Sequence, residues 1–220
     1  TTDPTFGEGF KLYSAGYKLQ LANATTLYAV WIGFEMQEGA AVRLAADSSG
    51  IRFLTDIDAN AYNADFNGRL ISVGTFLVPT DYLETGVDFV HSSFAEGYYL
   101  DKETATWRVQ TGNTWTYAAA FVNISESQFA RSFSARGYLK IEFTSGVGYV
   151  YTPYSAENNA RSIYEVALEA YNDARYPEYK TNETILHYIN SVANLTWDEA
   201  DYTFAKTTGV AGNYEITDIS

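Results

Sequence analysis

A chain of 220 residues, 46% of them hydrophobic, can bury one large core, and its 4 Pro and 16 Gly exclude collagen-like or low-complexity character. Its 27 acidic against 14 basic side chains leave a formal charge of -13, which repels phosphate backbones and anionic lipid and so argues against nucleic acid as a partner. The absence of cysteine excludes a disulfide framework, a thiolate metal site and a cysteine nucleophile.

Aromatic content is the unusual quantity: 19 Tyr, 13 Phe and 4 Trp, 16% of the chain. Such residues suit strands, and they also suit surfaces where an apolar ring and a hydroxyl are both useful. No apolar run approaches membrane-spanning length, so no membrane insertion is expected. Beginning at Thr1 without Met, the chain reads as a piece of a longer, multidomain protein.

In chain order, Thr26–Ile32 reads as a first strand. Ala41–Ala46 and Ile51–Thr55 flank Asp47-Ser-Ser-Gly50 and predict a hairpin. A turn centred on Ser48–Ser49 sets Leu44 opposite Phe53, with Val42 and Ile51 on that side and Arg43 and Arg52 as diagonal neighbours on the other. The arginine pair reads either as stems covering the sheet or as a cationic spot for a carboxylate. Leu70–Pro79 is nearly continuously apolar and predicts a central strand closed by Pro79. Val87–Phe94 and Trp107–Gln110 read as weaker strands, and Trp115–Ile124 as another central one. In Gly137–Phe143, Leu139, Ile141 and Phe143 alternate inward against an outward Tyr138, Lys140 and Glu142. Thr144-Ser-Gly146 turns that strand into Val147–Tyr151.

The period then changes. Ala160, Ile163, Tyr164, Ala167, Leu168 and Tyr171 recur at helical spacing behind Ser155 as N-cap, predicting a helix over about 155–173. A second helix over about 182–194 turns Ile185, Tyr188, Ile189 and Val192 inward and leaves His187 on its wet side. Tyr202–Lys206 and Asn213–Thr217 predict a last hairpin. Strands followed by helices without βαβ alternation give the expected class: α+β, mostly β, an antiparallel sandwich or sheet with two helices packed near the C-terminal part.

Leu12–Trp31, ending in Thr26-Leu-Tyr-Ala-Val-Trp31, resembles the closing part of a Listeria–Bacteroides repeat, the internalin B-type β-module of bacterial surface proteins. Residues 1–32 are therefore expected to be the C-terminal part of such a module, and 33–220 a β-rich domain with two helices. Gly39–Leu44, Ser49–Phe53, Val73–Pro79, Phe133–Tyr138 and Arg161–Ala167 together resemble an uncharacterised domain recurring in large exported proteins of gut Clostridia and ruminococci. The resemblance implies an extracellular or cell-surface location, neighbouring modules of a longer chain, and a binding rather than a catalytic part.

The residues with chemical potential are few. His91 stands beside Ser92 and Ser93, but adjacent strand positions face opposite ways and no Gly-x-Ser-x-Gly elbow exists, so no catalytic residue is assigned. Asp56, Asp58 and Asn60 match the first three ligand positions of an EF-hand loop, yet Ala61 replaces its glycine and Asn67 its bidentate glutamate. No metal and no cofactor are assigned. For a glycan, the requirement is an aromatic platform with amides and acids around it. Tyr98, Tyr99, Trp107 and Trp115, with Asn113 in the Thr-Gly-Asn-Thr turn between the tryptophans, are the candidate binding face. The expected function is a non-catalytic surface binding module with polysaccharide as first ligand. The alternatives are a spacer or protein-adhesion module engaging another surface protein, and a polysaccharide-acting enzyme built on an acid pair not nameable among 27 carboxylates.

Overall fold

The computed structural model describes residues 11–14, 18, 20, 33–45, 48–58, 70–83, 86–104, 109–192, 195–198 and 203–206. Among them two antiparallel sheets face each other. The first runs β1 (Phe34–Met36), β3 (Gly50–Asp58), β7 (Thr114–Val122), β6 (Val109–Thr111), and β2 (Ala41–Arg43) pairs with the same edge of β3 as β1. The second runs β10 (Ala160–Arg161), β8 (Phe133–Phe143), β4 (Leu70–Pro79), β5 (Leu100–Thr104), and β9 (Gly146–Tyr151) shares the β10 edge of β8. A separate ladder pairs β11 (Leu195–Asp198) with β12 (Thr203–Lys206). The expected class, mostly β with helices in the C-terminal part, is the class observed.

Period-two burial builds the core. Ile51, Phe53 and Ile57 of β3, Tyr117, Ala119 and Phe121 of β7, Val73 and Leu77 of β4, and Ala135, Leu139 and Ile141 of β8 are all buried between the sheets. One end of this core is completed by Leu12 and Phe34, with the Leu12 carbonyl accepting from Thr144 N–H at 2.8 Å. The other end is closed by α2 (Ile163–Asn172) and α3 (Glu183–Val192), which insert Ile163, Val166, Ala167, Ile185, Tyr188 and Val192 against Ile51, Phe121 and Leu77. The strand expected over 26–32 and the segment 213–217 lie outside the described residues; Thr203–Lys206 pairs with Leu195–Asp198.

Three local expectations change. The β2–β3 register sets Val42 opposite Ile51 and Arg43 opposite Gly50, which brings Phe53 level with Ala40 rather than Leu44. The displacement is four residues, an even number, so Val42 and Ile51 still share one side and Arg43 and Arg52 the other. The tight turn gives way to a wider loop gathered on Arg43, whose guanidinium donates to the carbonyl and, at 2.6 Å, to the hydroxyl of Ser48. Gly50 belongs to the strand, because a Cβ there would fall onto the Phe121 backbone carbonyl of β7.

The first predicted helix is broken. Ser155 precedes only α1 (Ala156–Asn159), after which Ala160 and Arg161 pair with Ser134 and Phe133 at the sheet edge. The main helix restarts behind Ser162: its hydroxyl accepts from Glu165 N–H at 3.1 Å, and the Glu165 carboxylate accepts from Ser162 N–H at 2.7 Å. Glu165 is thus half of a capping box.

Val87–Phe94 is no strand; His91–Ser93 form a 3-10 turn in a loop that lies over the second sheet. Tyr138, alternating outward as expected, is nonetheless fully buried because that loop covers its face.

Candidate functional site on the outer face of the second sheet

The register of β5, β4, β8 and β9 sets Phe76 level with Asp101 and Arg136, Gly74 level with Glu103, Tyr138 and Tyr151, and Ser72 level with Lys140 and Tyr149. Side chains lean diagonally across these levels: one row of contacts joins Asp101 and Phe76 to Tyr138 and Tyr151 through His91, and the next joins Glu103 to Lys140 beside Tyr149. The first row is closed and the second is open.

Closure begins at Gly74. It stands opposite Tyr138, and an added Cβ would lie 2.3 Å from the phenol carbon and oxygen, so the Tyr138 ring lies directly over the glycine. In this position the Tyr138 hydroxyl spans β4 and donates to Asp101 Oδ1 at 2.8 Å. The loop then sets His91 on top. Its imidazole stacks on Phe76 at 4.4 Å between centroids, with Tyr138 and Tyr149 each at 4.8 Å and Tyr99 at 5.4 Å. The Tyr151 hydroxyl accepts from the His91 backbone N–H at 3.2 Å, which leaves its proton for Nδ1 at 2.8 Å. A proton on Nε2 completes the pattern, donated to Asp101 Oδ2 at 3.2 Å. Arg136 pins the loop from below, donating to the carbonyls of Phe89 and Thr152 at 2.7 and 2.8 Å with its guanidinium over the Tyr151 ring.

Hydroxyl, imidazole and carboxylate in series invite comparison with nucleophile activation. The electrostatics oppose it. Burial, followed by the hydrogen bond and charge of Asp101, pushes the Tyr138 hydroxyl far above the usual phenol range. Burial also raises Tyr151, against the lowering effect of the His91 N–H. Both phenols are held protonated, as loop anchors rather than nucleophiles. Ser92 and Ser93 are exposed. Among the described residues, no three His, Asp or Glu side chains converge as metal ligands. Asp56 and Asp58 sit within β3 rather than in a loop, and Asp56 accepts from the Thr116 hydroxyl and the Gln37 amide.

The open row is different. Tyr149 keeps 40% of its surface exposed while its ring packs edge-on to Tyr138 at 5.4 Å and parallel to Tyr151 at 6.0 Å. Lys140, paired with Tyr149 in register, reaches across β4 to Glu103 at 3.3 Å. Beside it the Ser72 hydroxyl is buried and has no hydrogen-bond partner among the described residues. A braced, accessible ring thus adjoins a cation and a carboxylate, with the Ser72 hydroxyl buried beneath them.

No known family model, curated protein or solved structure matches the chain.

The four described residues of the expected platform do not share one face. Tyr98 is 58% exposed and tilts against Tyr82, over which Arg131 lies. Tyr99 turns inward onto Phe76 and His91. Trp115 belongs to the first sheet, half-buried against Ile57 and Tyr117 in the core. Asn113 is exposed in the β6–β7 turn, beside Gly112 at φ 56. Trp107 lies outside the described residues. Tyr98 and Tyr99 are brought to the His91 loop, while Trp115 packs in a different aromatic and aliphatic cluster. Sequence reasoning placed Asp101 in the candidate segment but missed Tyr149 and Tyr151. Two signals pointed there: alternation of Val147, Tyr149 and Tyr151 along one strand face, and a lone glycine inside the apolar run Leu70–Pro79.

Proposed function

We propose that this domain is a non-catalytic binding module of a longer, exported bacterial surface protein, and that its ligand is a glycan lying along the open row of the second sheet. The carrying observation is the Tyr149 ring, exposed on a strand and braced from behind by Tyr138, Tyr151 and His91. A sugar's C–H face packs on such a ring without the entropic cost of ordering a loop. Glu103 and Lys140 supply acceptor and donor for ring hydroxyls. Net charge of -13 favours neutral over uronic polysaccharide. The surface location rests on the resemblance of Thr26–Trp31 to the end of an internalin B-type repeat and of residues 35–175 to the exported domain. Among the described residues no helix is long and apolar enough to cross a membrane.

The test is affinity gel electrophoresis over a panel of soluble neutral and acidic polysaccharides. Retardation by a neutral glycan, abolished by Tyr149→Ala and kept by Trp115→Ala, is the expected result. Retardation lost in Trp115→Ala but not in Tyr149→Ala would transfer the site to the first sheet, and none across the panel would favour the spacer or protein-adhesion reading.

A further inference from the structure

A second concavity, of about 480 Å³, lies at the opposite end of the domain from the Leu12–Phe34 end of the core, between the β2–β3 loop, the segment after β7, and α3. Its size is at the lower end for small-molecule pockets. Three stretches of chain far apart in sequence meet there: Ser48 and Ser49, Asn123 to Phe129, and Glu183 to Tyr188. Ile124 and Phe129 provide the apolar floor, and His187 stands edge-on to the Phe129 ring at 5.6 Å. The rim is polar: the Ser48 hydroxyl is taken up by Arg43 and the Ser49 hydroxyl by the Ala45 carbonyl, and the remaining polar groups are left over. Among the described residues no hydrogen bond engages the side chains of Asn123, Glu183, Thr184 or His187. The helix start itself is capped by Asn182, whose side-chain oxygen accepts from the N–H of Thr184 and Ile185, so Glu183 and Thr184 are held in place with their side chains left over. Asn123 adopts φ 60, the described non-glycine residue with left-handed backbone, at the lip of this same cleft.

We infer that this cleft is a binding site for one neutral, pyranose-sized polyol. Amide, hydroxyl, imidazole and carboxylate around an aromatic and aliphatic floor offer both acceptors and donors, which a polyol matches by being both at each hydroxyl. Glu183 and the net charge of -13 oppose an anion. The inference does not depend on the reading of the sheet face.

The experiment is two-dimensional amide NMR of the 220-residue chain titrated separately with glucose, galactose, mannose, N-acetylglucosamine, inorganic phosphate and ethylamine. At least one sugar should shift the resonances of Asn123, Glu183 and His187 with an affinity in roughly the millimolar range, as suits a shallow site. Glu183→Gln and Asn123→Gly should each weaken that binding several-fold. Glycine adopts the left-handed backbone freely, so Asn123→Gly removes the amide without straining the fold. Tyr149→Ala should leave these shifts unchanged, which separates this site from the sheet face. Stronger shifts with phosphate or ethylamine, sugar binding unaffected by either cleft variant, or no shift with any sugar would each overturn the inference.

Discussion

Gly74→Ala tests the central contact of the outer face. The new methyl carbon would start 2.3 Å from the Tyr138 phenol carbon and oxygen, well inside van der Waals contact. The glycine has no left-handed backbone to lose, so the cost falls on the ring above it. To make room Tyr138 must rise by more than an ångström, which breaks its 2.8 Å hydrogen bond to Asp101 and drives it into His91. Overpacking of this kind costs about 1–3 kcal/mol, and a lost hydrogen bond to a charged group adds about 1.5–3. Asp101 retains some access to water, so the lower part of the second range applies, and the sum is about 2.5–5 kcal/mol. Tyr138→Ala alone empties the space and should cost about 3–5 kcal/mol. In the double variant the alanine methyl has nothing to strike. Urea unfolding of the wild type, both single variants and the double should then give a coupling of at least about 2 kcal/mol, the double being more stable than the sum. Additivity within about 0.5 kcal/mol would mean that the ring does not lie over Gly74, and the account of the closed row would fall.

Alkaline pH should unfold the domain cooperatively. Tyr117 and Tyr138 are both buried and both raised above the ordinary phenol value of 10.0, chiefly by burial. Between pH 10.0 and the folded values the unfolded chain loses protons that the native state keeps, so this stability is complete below pH 10.0 and falls as pH rises further. Two such groups give a slope of about 3 kcal/mol per pH unit, measurable as a falling urea midpoint; a midpoint flat through this range would contradict the burial of both hydroxyls. Ser162→Ala removes half of the α2 capping box and should lower stability by about 1 kcal/mol, whereas Ser155→Ala should cost less, since Ser155 makes no side-chain cap bond. His91→Ala should raise amide hydrogen exchange in residues 86–99 while leaving β3 and β7 protected; uniform loss of protection would show that the loop is not a separately anchored element.

The sheets were legible because strand burial repeats with period two and nothing local contradicts it. Leu139, Ile141 and Phe143 alternate with Lys140 and Glu142, and Leu70–Pro79 is apolar on both faces because it runs between β5 and β8 with the loop above it. The register of β2 on β3 was not legible. Ser48 and Ser49 look like a two-residue turn, but the loop forms around the Arg43 guanidinium, a tertiary partner that turn propensity does not contain. The first helix failed for a related reason. Helical periodicity continues through Ala160 and Arg161, yet their backbone groups find partners on β8, and the capping serine moves from Ser155 to Ser162. At the candidate site, sequence proximity favoured the two tryptophans flanking a turn, whereas the rings that converge come from four elements. Phe76, Tyr138, Tyr149 and Tyr151 meet His91 only because β4, β8 and β9 are neighbours in one sheet.

Closed and open rows on the outer face depend on one another. A sheet with both faces apolar must be covered, and the chain covers this one with residues 87–99 rather than with a helix. A loop lacks the internal hydrogen bonds of a helix, so it is fastened side chain by side chain: His91 to Asp101 and Tyr151, and the Phe89 carbonyl to Arg136. These anchors occupy the row from Asp101 to Tyr151, and there the cover ends. Tyr149 stands at its margin, its ring against His91, Tyr138 and Tyr151 on one side and open to solvent on the other. The fastening that closes one row is therefore also the wall that holds the exposed ring of the next in a single orientation. An accessible aromatic on an edge strand would otherwise rotate freely and bind weakly, because each ligand would have to order it first. Preorganisation of Tyr149 is thus a by-product of covering Phe76 and Tyr138, and this is the physical reason the proposed binding face lies at the boundary between the two rows.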